Sequence, residues 1–231
     1  MGFDLRFHVL TLTNVPWEEY RARVRRVEEA GFDIVELGDH FVDWANPPAP
    51  WFEAWTTLAA LAADTESIRL ATCVTQIPLR SPGLLAHQAI TVDHISGGRL
   101  DLGLGTGVLM DPSMEMLGMP NWSAGERVER FAEYVDVVAR LLSQEVTTYH
   151  GDHYTVEGAI MNPASLQKPR LPIMVAALAP RMMRITAQYA DIWNTMSFDA
   201  DFSVQLDEMS VRAEAMDDIC RGIGREPTTL R

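Results

Sequence analysis

Apolar and polar positions along this chain follow two alternating rhythms. Short apolar runs rich in β-branched residues give way to longer stretches whose apolar residues recur every three or four positions, the signatures of buried strands and amphipathic helices. Leu5 to Leu12 reads as a first strand. Helical spacing follows from Pro16 through Trp17, Val24 and Val27 to a stop at Gly31, with proline and glycine where helix ends favour them. Asp33 to Leu37 is a second strand, and beyond a proline-rich loop at Asn46 to Pro50 the stretch Trp51 to Ala63 is helical. Ile68 to Val74 is a third strand, Gly83 to Ile95 a third helix, Arg99 to Gly105 a fourth strand, and about Ser123 to Leu142 a long amphipathic helix. The rhythm then breaks once. Val146 to Tyr149 and His153 to Val156, joined at Gly151-Asp152, predict a β-hairpin inserted near 146–156. It resumes with Leu171 to Ala176 as a fifth strand, Pro180 to Ala190 as a helix, Asp191 to Thr195 as a sixth strand and about Asp201 to Gly222 as a last helix.

Repeated strand–helix units imply parallel strands joined by right-handed crossovers. Six such units with glycines at strand ends predict an α/β fold, a (β/α)8 barrel over residues 1–231 as one domain, with strands seven and eight missing. Open edges on the first and sixth strands would leave a row of unpaired backbone groups. The expectation is therefore a fragment of a longer barrel or one completed by a partner, and a homodimer is expected.

Composition narrows the classes. Apolar residues make up 47% of 231, enough for a sizeable core, and a formal charge of −13 argues against a nucleic-acid or anionic-membrane partner. Two cysteines, Cys73 and Cys220, without a CxxC pair argue against a disulfide framework or zinc ribbon. No apolar run reaches a membrane span and no signal-peptide pattern opens the chain, so a cytoplasmic location and a small-molecule partner are expected.

Three places carry candidate chemistry. Gly38 to Trp44 sets Asp39, His40 and Trp44 where the second strand hands over to its loop, the end of a barrel strand at which reactions are done. Leu102 to Gly107 alternates glycines at the fourth strand end, which lets a flat ring or a phosphate approach the backbone; its place in the chain does not match a dinucleotide fingerprint. Val175 to Arg181 runs a strand end of small residues into a helix start, where free N–H groups favour an anion. Met110, Met114, Met116 and Met119 read as filling beneath a loop, and His87, His94, His150 and His153 as surface or packing residues, so no metal site is expected. Cys73 reads as a small buried residue rather than a nucleophile.

In this order the sites resemble the bacterial luciferase-like monooxygenase superfamily, and within it the branch that uses coenzyme F420, a deazaflavin. The resemblance rests on Asp39-His40-Phe41 with Trp44, on Ala71-Thr72-Cys73-Val74, on the run LLAHQAITVDHISGGRLDLGLGTG from Leu84 to Gly107, on Gly151 to Tyr154 and on Tyr189 to Asn194. It implies a deazaflavin, or alternatively FMN, lying across the barrel mouth. Cys73 and Val74 would back the ring through a bulge or cis peptide, and Asp39, Thr106 and Gly107 would approach it. Ala176, Ala177, Leu178 and Ala179 would cradle the phosphate. His40 and Trp44 would serve proton transfer beside the hydride acceptor, and Asp39 is expected to orient the imidazole. Three departures separate the chain from the branch's sugar-phosphate dehydrogenases: Val108 replaces a glutamate, Ala177 to Ala179 is poorer in glycine, and Thr195 to Asp199 holds no lysine. The expected activity is hydride transfer to or from a small organic substrate other than glucose 6-phosphate. A reduced-FMN monooxygenase and a non-catalytic flavin-binding protein are the alternatives.

Overall fold

The computed structural model describes residues 5–230. Six parallel ladder positions form one curled sheet, in the order β1 (His8–Thr11), β2 (Ile34–Leu37), β3 (Arg69–Thr72), β5 (Leu100–Gly105), β8 (Ile173–Ala176) and β9 (Ile192–Asn194). The short β4 (Thr75–Gln76) continues the line of β3 and pairs with β5. The crossovers are α1 (Trp17–Glu29), α2 (Ala54–Asp64), α3 (Pro82–Ser96), α5 (Ala124–Ser143) and α6 (Pro180–Tyr189), with α7 (Phe202–Gly222) after β9. A hairpin of β6 (Thr147–His150) and β7 (Thr155–Ala159) stands apart as a second, two-stranded sheet. This is the half-closed barrel the pattern predicts. Among the described residues β1 pairs only with β2 and β9 only with β8, so the sheet has two open edges.

The core lies where the strands' buried side chains meet the helices. Val35, Leu37, Leu70, Leu100, Leu102, Leu104, Ile173 and Val175 pack with Leu58, Leu61, Leu85, Ile90, Phe131 and Leu141, all almost fully buried. Central strands buried on both faces read as continuous apolar runs, which is why they were legible. The far end of the sheet is tied by side chains. Arg99 donates to the carbonyls of Ala62, Thr65, Ile68 and Ser96, fastening the end of α2 to the end of α3. Asp93 receives Ser165 Oγ, the Leu166 N–H and the Gln167 amide. Much of the run from Leu84 to Gly107 therefore builds the scaffold rather than the mouth.

Several boundaries differ from expectation for local reasons. The first strand is only His8–Thr11, because as an edge strand it is half exposed. The second helix starts at Ala54, since the Glu53 carboxylate accepts the N–H groups of Trp55 and Thr56 and caps it there. Trp51 is thereby left in the loop. The third strand breaks at Thr72, where the Cys73–Val74 peptide is cis, matching the distortion the resemblance implies. The methionine loop contains an unforeseen short helix, α4 (Ser113–Met116), and only Met114 fills beneath it; Met110 and Met116 are exposed.

Candidate active site

His40 lies just beyond β2 and is held on every side but one. Its ring stacks on Trp44 at 5.6 Å between centroids with 11° between planes, and the edge of Trp51 meets it at 5.7 Å and 73°. A side chain at Gly38 would come within 3.3 Å of the ring, so that glycine lets the imidazole lie close to the end of β2. Nδ1 sits 2.6 Å from Asp111 Oδ2, while Nε2 makes no hydrogen bond among the described residues and is not sealed from solvent. Expectation gave Asp39 the task of orienting His40; the structure gives it to Asp111. That carboxylate is buried, which alone would raise its pKa, but hydrogen bonds from His40, Ser113 and Gln76 hold it well below the usual carboxylate range.

Asp39 faces away from His40. Its carboxylate pairs with Arg80, whose other partner is Glu53 at 3.1 Å, and its carbonyl takes the Gln76 amide at 2.8 Å. Asp39 and Arg80 are both almost wholly buried, so they neutralise one another beneath the mouth. Gln76, from β4, bridges the loops after β2 and β5 by donating to Asp39 O and to Asp111 Oδ2.

The alternate glycines answer a different need from the one expected. A side chain on Gly103 would meet the Thr72 carbonyl oxygen at 1.8 Å, one on Gly105 would meet Val74 Cγ2 at 2.4 Å, and one on Gly107 would meet Gln76 Oε1 at 2.5 Å. Residues 103, 105 and 107 thus face 72, 74 and 76 of the broken neighbouring strand. They make room for that strand. Thr106 turns its carbonyl to Arg127 at 2.8 Å, and Gly107, at φ +73°, carries the chain out of the sheet. Cys73 and Val74 are half-buried at the break, and burial with Glu36 close by pushes the Cys73 thiol up to about 12, which disfavours the thiolate.

At the end of β8, Ala177 is consumed by the fold: its N–H bonds Asn194 O at 2.9 Å and its carbonyl accepts Trp193 Nε1 at 2.9 Å. Ala176 is half-buried, Leu178 and Ala179 are exposed, and α6 begins at Pro180 with no side-chain cap. An anion is therefore offered the loop 178–179 and the first free N–H groups of α6. Arg181 is exposed and reaches Glu129 at 3.5 Å. His94 bonds the Ala164 carbonyl and His150 pairs with Glu157, ordinary surface roles.

The mouth thus joins His40, Trp44, Cys73, Val74, Thr106 and Gly107 on neighbouring strand ends. It adds four residues that sequence reasoning passed over: Trp51, Gln76, Arg80 and Asp111. A signal existed for Asp111, one of two carboxylates in the loop between Gly105 and Ser123 and set directly before a proline.

The chain is 33% identical over 171 residues to an F420-dependent glucose-6-phosphate dehydrogenase of Microbacterium testaceum, covering 74% of this chain and 50% of that protein. It is 26% identical over 201 residues to a 5,10-methylenetetrahydromethanopterin reductase of Archaeoglobus fulgidus, covering 87% and 56%. The chain spans about half the length of the curated relatives it matches. Among solved structures, an F420-dependent secondary alcohol dehydrogenase in complex with an F420-acetone adduct superposes with a TM-score of 0.84 at 22% identity, covering all of this chain and 68% of that one. A long-chain alkane monooxygenase superposes at 0.82 with 14% identity, covering 100% and 64%. Residues 5–230 match the family model for luciferase-like monooxygenases, and the chain belongs to that family.

Proposed function

We propose that this chain forms the cofactor-binding part of a coenzyme F420-dependent oxidoreductase that moves a hydride to or from a small organic substrate. His40 is the proton-transfer group in this reading and Trp44 shapes the site beside it. The observation that carries it is the imidazole gripped at Nδ1 and on its faces with Nε2 left free at the mouth. An imidazole suits the task because it exchanges a proton near neutral pH. When bound, the deazaflavin supplies a two-electron hydride acceptor and donor at ring carbon C5. With an alcohol as substrate, His40 Nε2 would take the hydroxyl proton as the carbon-bound hydrogen leaves as hydride, and in the reverse direction it would return that proton.

The residues fit such a group. Leu178, Ala179 and the uncapped start of α6 would hold its phosphate, with Ala176 and Ala177 shaping the strand end beneath. Cys73 and Val74 would back the ring, the backbone of Thr106 and Gly107 would border it, and Asp39, paired with Arg80, would hold the loop that carries His40.

A substrate other than glucose 6-phosphate is supported by the mouth itself. By the resemblance Val108 takes the place of a carboxylate in the sugar-phosphate enzymes, and the exposed residues on the loops after β2 and β5 include Phe41, Trp44, Leu109 and Met110. Arg80 and Arg127 are buried against protein partners, and the chain's single lysine, Lys168, precedes β8 at the other end of the strands. We further propose a homodimer, with the two open edges as its support.

The alternative is a reduced-FMN monooxygenase, favoured by the fold it shares with the alkane monooxygenase. Absorbance of the cofactor retained on purification separates the two. A band at shorter wavelength than the flavin bands supports the deazaflavin, the yellow flavin spectrum supports FMN, and tight binding with no turnover supports a flavin-binding protein without catalysis.

A further inference from the structure

We infer that Asp111 is the positioning residue that sets the His40 ring for proton transfer. The inference rests on the reading of His40 given above. Asp111 has no side-chain exposure. Oδ1 accepts the Ser113 N–H at 2.8 Å, and Oδ2 accepts Gln76 Nε2 at 2.7 Å and faces His40 Nδ1 at 2.6 Å. A carboxylate so provided with donors stays ionised and can only accept. Nδ1 must then carry the proton.

Gln76 enforces the same choice. Its Nε2 lies 3.1 Å from His40 Nδ1, yet both its protons go to Asp39 O and Asp111 Oδ2. It has none to give Nδ1, and Nδ1 has no lone pair to offer once protonated. With Nδ1 committed, the neutral ring presents a bare Nε2 to the cleft as a base, and the charged ring presents an N–H there as an acid. Gln76 is 3% exposed, so the clamp is shielded from competing water. Phe41 N–H donates to Ser113 Oγ at 3.1 Å, and this locks the loop after β5 onto the loop after β2 and holds Asp111 and His40 in register.

The test is nitrogen-15 NMR of the imidazoles without cofactor, at a pH about 2 units above the ordinary histidine value of ~6.5. The His40 signal is identified by its loss in His40→Asn. The expected wild-type spectrum has a protonated Nδ1 and a bare Nε2. In Asp111→Asn, His40 should shift toward the Nε2–H form while the other five imidazoles keep their signals. With coenzyme F420 and a panel of small alcohols, that variant should lose roughly 10²–10⁴-fold in kcat, the range for losing an acid–base group or its tautomer. Cofactor affinity should stay within a few-fold, and Asp111→Glu should restore part of both signal and rate. A wild-type His40 protonated at Nε2 would overturn the inference, and so would an Asp111→Asn spectrum identical to wild type. The wild-type spectrum decides the matter even where a variant fails to fold. Since it is read without cofactor, it stands apart from whether F420 is the right one.

Discussion

His40 owes its readiness to residues outside its own motif. Asp111, Gln76 and Trp51 each come from a different loop or strand, and none shares a local motif with Gly38 to Trp44. Their joint effect also reaches stability. Asp111 ionises in the folded protein well below the ~3.9 of an unfolded aspartate. Its contribution is therefore complete above about pH 4 and is lost as pH falls toward the folded value. In denaturant unfolding, the stability difference between wild type and Asp111→Asn should shrink as pH falls below 4; curves that stay parallel through that range would contradict the linkage. A second residue prediction concerns Gly103. Gly103→Ala drives a methyl into the Thr72 backbone, which cannot yield as a side chain would, so the loss should reach or exceed the upper end of the ~1–3 kcal/mol typical of overpacking. Gly83→Ala, in open space on α3, should be neutral or gain up to ~1 kcal/mol. Comparable losses at both positions would refute the strand-contact account.

At the scale of elements, the strands and helices were legible because burial imposes a period on them. Leu100 to Gly105 is buried at every position, and α5 sets Phe131, Val135, Val138 and Leu142 along one face at steps of three and four. The broken third strand was not visible in its own residues, and only the resemblance pointed to it. The purpose of the glycines escaped for the same reason, since their contacts are with residues about thirty positions away. Of the site, the acid and imidazole at Asp39 and His40 were legible as residue types at a strand end, but their partners were not. Asp39 and His40 are adjacent in sequence and bonded to opposite sides, to Arg80 and to Asp111. The Arg80–Asp39 pair allows a prediction at this scale. Arg80→Met leaves a buried carboxylate without its cation and should cost ~3–5 kcal/mol in equilibrium unfolding, while adding Asp39→Asn should recover a large part. Equal stabilities for the single and double variants would show that the pair does not couple these elements.

The whole molecule is a parallel sheet curled partway to closure, with β1 and β9 each lacking a second neighbour among the described residues. Leu10, Leu12 and Phe32 are exposed near one edge and Phe198, Phe202 and Leu206 follow the other, apolar surface that a partner would cover. At tens of micromolar, this chain alone should sediment above its monomer mass of 25.8 kDa; a stable monomer at that concentration would contradict the proposed association. The central claim is that the mouth of this half-barrel is a deazaflavin site at which His40 moves the proton. It is tested most directly by measuring turnover and F420 affinity together in His40→Asn, with the protein loaded with coenzyme F420. The account predicts a rate lower by ~10²–10⁴ with affinity within a few-fold, because the proposed phosphate grip is at the start of α6 rather than at His40. An unchanged rate, or an affinity that collapses along with it, would contradict it.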